Sequence, residues 1–138
     1  SLKVALLIGN QDYEGLGRLH NPATDVETLA RCLASLSFRV IALVNLTHAE
    51  MNNALNEFCS MLHEGAYGVF YYAGHGFKKD ELSYMVPLET PHSAGDDGGV
   101  AGFSCDDCLC VQRALACMQE TGAALNLLIL DMCRAESR

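Results

Sequence analysis

The sequence predicts an α/β fold: a three-layer α/β/α sandwich around a mostly parallel sheet. Three observations carry that reading. Short, near-continuous apolar runs occur at residues 4–8, 39–43, 69–73 and 125–130, as in strands covered on both faces. Segments with apolar residues at helical spacing lie between them, and such alternation implies right-handed βαβ units. Several of the runs end on chemically distinctive residues, at the edge where open α/β sheets bind their ligands.

The first run, Val4-Ala5-Leu6-Leu7-Ile8, closes on Gly9-Asn10. A glycine- and charge-rich loop follows to His20. Asn21-Pro22 then reads as an N-cap with proline at the first helical position. Val26, Leu29, Ala30, Leu33 and Leu36 recur at helical spacing, so one face of that helix is buried. The second run spans residues 39–43. Thr47-x-x-Glu50 is a capping box, in which the two side chains satisfy each other's free backbone N–H groups. Met51, Ala54, Leu55, Phe58, Met61 and Leu62 form the apolar face behind it, and Gly65 is the stop signal. After the third run, residues 83–87 read as a short extra strand ended by proline. Residues 91–107, rich in Gly, Asp and Ser, read as a mobile surface loop. Val111, Ala114, Leu115 and Met118 give a third helix, ended by Thr121-Gly122, before the fourth run.

The 138 residues suit a single domain with a real core, and half are hydrophobic, which excludes disorder over most of the chain. No apolar run nears the roughly 20 residues of a membrane span, and no basic-then-apolar leader opens the sequence. Ser1 in place of Met suggests an excised piece of a longer chain. A formal charge of −8 leaves no basic face for nucleic acid. The seven cysteines show no regular framework, which fits a reduced, cytoplasmic protein. Cys105-x-x-Cys108-x-Cys110 invites a metal test, with Cys117 or His92 as a fourth ligand. The spacing is loose, and neither a metal nor a cofactor is assigned.

Two stretches carry chemistry. In Val69-Phe70-Tyr71-Tyr72-Ala73-Gly74-His75-Gly76-Phe77 an apolar run stops at a histidine between two glycines. In Leu125-Asn126-Leu127-Leu128-Ile129-Leu130-Asp131-Met132-Cys133-Arg134 a similar run stops at a cysteine. Either residue alone reads as an ordinary core side chain. If the runs are neighbouring parallel strands, however, His75 and Cys133 emerge together at their ends as a base and a thiol nucleophile. Tyr71 and Tyr72 read as packing. Cys32, Cys59 and Cys117 fall on helical faces and read as inert.

Tyr71-Tyr72-Ala73-Gly74-His75-Gly76 and Leu130-Asp131-Met132-Cys133-Arg134 resemble the cysteine-peptidase clan of caspases, metacaspases and paracaspases. The separation of His75 and Cys133, about 58 residues, is near the roughly 50 of caspases. Lys3 to Asn10, Met85-Val86-Pro87 and Cys108-Leu109-Cys110-Val111-Gln112 extend the likeness, which is greatest to MALT-type paracaspases. Residues 91–107 depart from the pattern.

The resemblance implies that residues 1–138 form a caspase-like, p20-type domain, the large-subunit half. Its sheet would then be incomplete at the C-terminus, and the last strand would expose an edge. It implies a Cys133/His75 dyad and an oxyanion site at the backbone N–H groups of Gly76 and Cys133. No third catalytic residue is named. Caspases place an arginine four positions before the residue matching Asp25, and a glutamine two before the nucleophile. Here those positions hold Asn21 and Asp131. The anion site has become a two-carboxylate pocket, Asp25 with Asp131, suited to Arg and less well to Lys before the cut. Separately, Asp25 reads as a first-turn acid and Asp131 as a strand-end acid. Arg18 is a poor candidate for an anion site, being out of register. The implied partners are peptide or protein substrates, the small-subunit half and a second copy in the full protein. The implied setting is a cytoplasmic signalling complex. A non-catalytic caspase-like scaffold is the competing reading.

Overall fold

The computed structural model describes residues 1–88 and 103–134. β1 (Lys3–Gly9) is buried from its second residue onward because a strand lies on each side of it. It pairs in parallel with β2 (Arg39–Val44) and with β3 (Tyr67–Lys79). β6 (Leu125–Arg134) runs parallel to β3 on the latter's other edge. β3 outlasts β1, whose last partner on it is Ala73. The edge so released is taken by β4 (Leu82–Met85), antiparallel, from Gly76 onward. β4 in turn pairs with the two-residue β5 (Leu109–Cys110). The result is a mixed six-stranded sheet, order β2-β1-β3-β4-β5, with β6 against β3.

Helices cover both faces. α1 (Pro22–Ser35) lays Val26, Leu29, Ala30 and Leu33 on Ala5, Leu7, Val69, Tyr71 and Ala73. α2 (His48–Met61) and α3 (Val111–Glu120) cover the opposite face, Met51, Phe58, Ala114 and Met118 meeting Leu6, Ile8, Phe70 and Tyr72. The three-layer sandwich expected from the alternation is therefore present. The Thr47–Glu50 capping box forms in full, with both reciprocal bonds made. Asn21 is the N-cap of α1 but makes no cap bond through its side chain. Gln11, ten residues upstream, instead accepts from the Ala23 N–H at 2.8 Å. α1 can sit this close to β1 because Gly9 lacks a Cβ, which would lie 2.9 Å from the Pro22 carbonyl oxygen.

Four local expectations change. β3 does not stop at Ala73; it continues through His75 to Lys79, because β4 supplies the hydrogen bonds that β1 no longer can. β6 likewise runs on through Cys133. Leu36, placed on the buried face of α1 by spacing, is the C-cap and is exposed. The expected loop at 91–107 lies outside the described residues as far as 102, and the rest of it is not loose. Phe103 is buried beside Tyr13, Phe77 and Val86, and Cys105–Asp107 form a 3₁₀ turn capped by Ser104. At the other side of the sheet, β6 pairs with β3 alone among the described residues, and Leu125, Leu127, Ile129 and Leu130 are exposed.

Candidate active site

Side chains alternate along a strand, so Tyr71, Ala73 and His75 of β3 share the face that α1 covers. The β3–β6 register sets Ala73 beside Asp131 and His75 beside Cys133. Partners in a parallel pair point to the same face, so the side chains of His75 and Cys133 leave neighbouring positions of the sheet on the α1 side. Cys133 is exposed, whereas His75 is buried. The sulfur is thus open to a ligand while the ring is held by protein.

What holds the ring comes from the loop between β1 and α1. His75 Nε2 lies 2.9 Å from the Gly17 carbonyl oxygen. A carbonyl only accepts, so Nε2 carries a proton, and in the neutral ring Nδ1 presents the lone pair. Nδ1 is buried and has no hydrogen-bond partner among the described residues. Tyr13 of the same loop sets its ring edge-on to the imidazole, with centroids 4.5 Å apart. The loop can turn here because Gly17 adopts φ +93°, a left-handed conformation that disfavours a side chain. A third group for His75 therefore exists, but it is a main-chain carbonyl, and side-chain types in the sequence give no sign of it.

Tyr71 is bonded to one of the two acids and feels the charge of both. Its hydroxyl donates to Asp131 Oδ2 at 3.4 Å. Burial, then the charges of Asp131 and Asp25, push the Tyr71 hydroxyl up to about 12, so it stays protonated as a donor. Asp131 is exposed on β6, and Asp25 is half-buried in the first turn of α1. Asp131 thus meets Tyr71 directly, and the charge of Asp25 acts on the same hydroxyl from the first turn of the helix that covers this face. Arg18, the discounted anion-site candidate, faces its own loop's Asp12 at 3.6 Å, with both side chains exposed. Gly76 is walled in: a Cβ there would meet the Met132 side chain and lie 2.9 Å from the Tyr84 carbonyl oxygen.

The cysteine cluster lies elsewhere. A cavity of about 260 Å³ between α2, β4 and α3 is lined by Cys105, Cys108 and Cys110 with His48, Tyr84 and Arg113. Among the described residues no group of three or more His, Cys, Asp or Glu side chains is arranged to hold a metal ion, and His92 falls outside them.

Comparison with known proteins settles the lineage. Residues 2–138 match the model of the caspase domain. The chain belongs to the caspase-domain family. It is 44% identical over 132 residues to the human mucosa-associated lymphoid tissue lymphoma translocation protein 1, and equally to its mouse homolog. Each match covers 96% of this chain and 15% of the relative, so the chain spans about 15% of the length of those proteins. The likeness to paracaspases read from residues 71–76 and 130–134 stands, and with it membership of a cysteine-peptidase family. β3 and β6 are the strands whose register pairs His75 with Cys133. No helix among the described residues is long and apolar enough to cross a membrane.

Proposed function

We propose that this caspase-domain chain carries the reactive half of a cysteine endopeptidase that cuts after Arg, and less readily after Lys. The observation that carries the proposal is the pairing of His75 with Cys133 in the β3–β6 register, the cysteine exposed and Nδ1 without a partner among the described residues. Nδ1 takes the proton from Cys133 Sγ, and the thiolate attacks the scissile carbonyl carbon. The backbone N–H groups of Gly76 and Cys133 receive the negative oxygen, a role taken from the family. The tetrahedral adduct collapses, the His75 imidazolium gives its proton to the departing amine, and an acyl-thioester remains. Water, deprotonated by His75, then hydrolyses that ester and restores the thiol. Gly17 contributes by holding Nε2 as the donor, which leaves Nδ1 as the basic nitrogen.

The specificity reading rests on the two carboxylates near Tyr71. A guanidinium can pair with a carboxylate through two N–H groups at once, whereas an ammonium is a point charge, which ranks Arg above Lys. Cytoplasmic signalling and self-association of the whole protein follow from the family reading and are part of the proposal. So is weak or absent turnover by the 138 residues alone. The test is hydrolysis of arginyl peptides by the full-length protein against Cys133→Ala. Turnover abolished by that change is expected. Absent arginyl cleavage would favour the non-catalytic scaffold, and cleavage untouched by Cys133→Ala would remove Cys133 as the nucleophile.

A further inference from the structure

His75 is gripped by more than its ring. Its backbone N–H donates to the Tyr13 hydroxyl at 3.1 Å, and its carbonyl accepts from the Tyr72 hydroxyl at 2.7 Å. Each phenol has one proton to give. Tyr13 gives its own to the Val86 carbonyl at 2.8 Å, which leaves a lone pair for the His75 N–H. Tyr72 gives its own to His75, so the 3.1 Å contact between the two phenol oxygens is a secondary one. Val86 completes the frame, because its N–H donates to the same His75 carbonyl at 3.0 Å. Gly74 makes room: a Cβ there would run into the Tyr72 hydroxyl and lie 2.8 Å from that of Tyr13.

We propose that Tyr13 and Tyr72 are positioning residues, a pair of buried hydroxyls that clamp the main chain on both sides of His75. The inference rests on the His75/Cys133 reading and deepens it. Tyr13 belongs to the loop that also supplies the Gly17 carbonyl, so one loop holds the histidine at backbone and ring together. Without the Tyr13 hydroxyl the loop loses its tie to the His75 N–H, and the Gly17 oxygen is free to drift from Nε2. The Nε2–H tautomer then loses the acceptor that fixes it. Burial pushes the Tyr13 hydroxyl up to about 12 and that of Tyr72 well above its usual value, so both remain protonated across the working range.

Tyr13→Phe and Tyr72→Phe keep the rings and remove only the hydroxyls. The test reads two signals well below the melting point of each protein. The first is the tautomer of His75 from nitrogen-15 histidine spectra, practicable with five histidines. The second is the rate of Cys133 alkylation by iodoacetamide at neutral pH, followed by peptide mass. In the unaltered chain His75 is expected as a single Nε2–H tautomer. Each variant should show a tautomer mixture and alkylate Cys133 about tenfold more slowly, a fraction of the 10²–10⁴ that a general base contributes. Variants that keep the single tautomer and alkylate within twofold of the unaltered chain overturn the clamp. If the tautomer scatters in the variants while His75→Ala leaves Cys133 alkylation unchanged, the clamp stands and the Cys133/His75 reading falls.

Discussion

Asn10→Leu removes a buried amide that ties three segments together beside the site. Asn10 is fully buried at the end of β1. Its Oδ1 accepts from the Leu46 N–H at 2.9 Å, and its Nδ2 donates to the Val86 carbonyl at 3.3 Å. Leucine fills similar space but serves neither partner. The two losses differ in size. The Val86 oxygen keeps the Tyr13 and Tyr72 hydroxyls within 3.1 Å, so it remains satisfied. The Leu46 N–H is buried and becomes an orphan, which costs about 1–3 kcal/mol, and the lost bond to Val86 adds roughly 1 kcal/mol. The expected total is about 2–4 kcal/mol. For a chain of this length that lowers the melting temperature by about 10 °C. Asn10→Asp separates the causes, since its carboxylate still accepts from Leu46 but faces the Val86 oxygen. That variant should recover stability as the pH falls and the acid gains a proton to donate. Urea unfolding followed by circular dichroism supplies the numbers. An Asn10→Leu chain within about 0.5 kcal/mol of the unaltered one would refute the reasoning.

Two further outcomes follow from packing and titration. Gly9→Ala should cost about 1–3 kcal/mol, because its Cβ meets the Pro22 backbone and must lift α1. Gly68→Ala should cost less, because its nearest neighbour is the flexible end of Leu62, so equal midpoints in urea would contradict the packing. Tyr13 and Tyr72 titrate higher folded than unfolded, so they contribute stability in full below about pH 10. That contribution is lost as the pH rises towards 12, at up to about 1.4 kcal/mol per pH unit for each tyrosine. Urea midpoints between pH 9 and 11.5 should therefore fall less steeply in Tyr13→Phe and Tyr72→Phe than in the unaltered chain, and parallel curves would argue against the buried-donor assignment.

The parts legible in the sequence were those with a local physical signature. Continuous apolar runs marked β1, β2, β3 and β6, and the spacing of Val26, Leu29 and Leu33 marked the buried face of α1. Thr47 and Glu50 announced their cap because both halves of that device lie within one turn. The site was legible as far as side-chain type could show it. His75 and Cys133 stood out at the ends of apolar runs, and the register sets them side by side. The continuation of β3 past His75 was hidden, since it depends on β4 arriving after β1 has ended. Gln11 capping α1 in place of Asn21 was hidden for the same reason, as the donor and acceptor meet only in the fold. Tyr13 and the Gly17 carbonyl were missed because a glycine- and charge-rich loop advertises no fixed partner. Tyr72 was read as packing, which its burial supports, but its hydroxyl also serves the His75 carbonyl.

Covalent labelling of Cys133 by an arginyl electrophile, set against an aspartyl one on the same scaffold, tests the central claim most directly. In the full-length protein the arginyl probe should label Cys133 selectively, and His75→Ala should abolish the labelling. Asp25→Asn or Asp131→Asn should slow it by about ten- to a hundredfold, the worth of one charge-assisted pair. Preferential labelling by the aspartyl probe, or arginyl labelling indifferent to His75 and to both acids, would contradict the account.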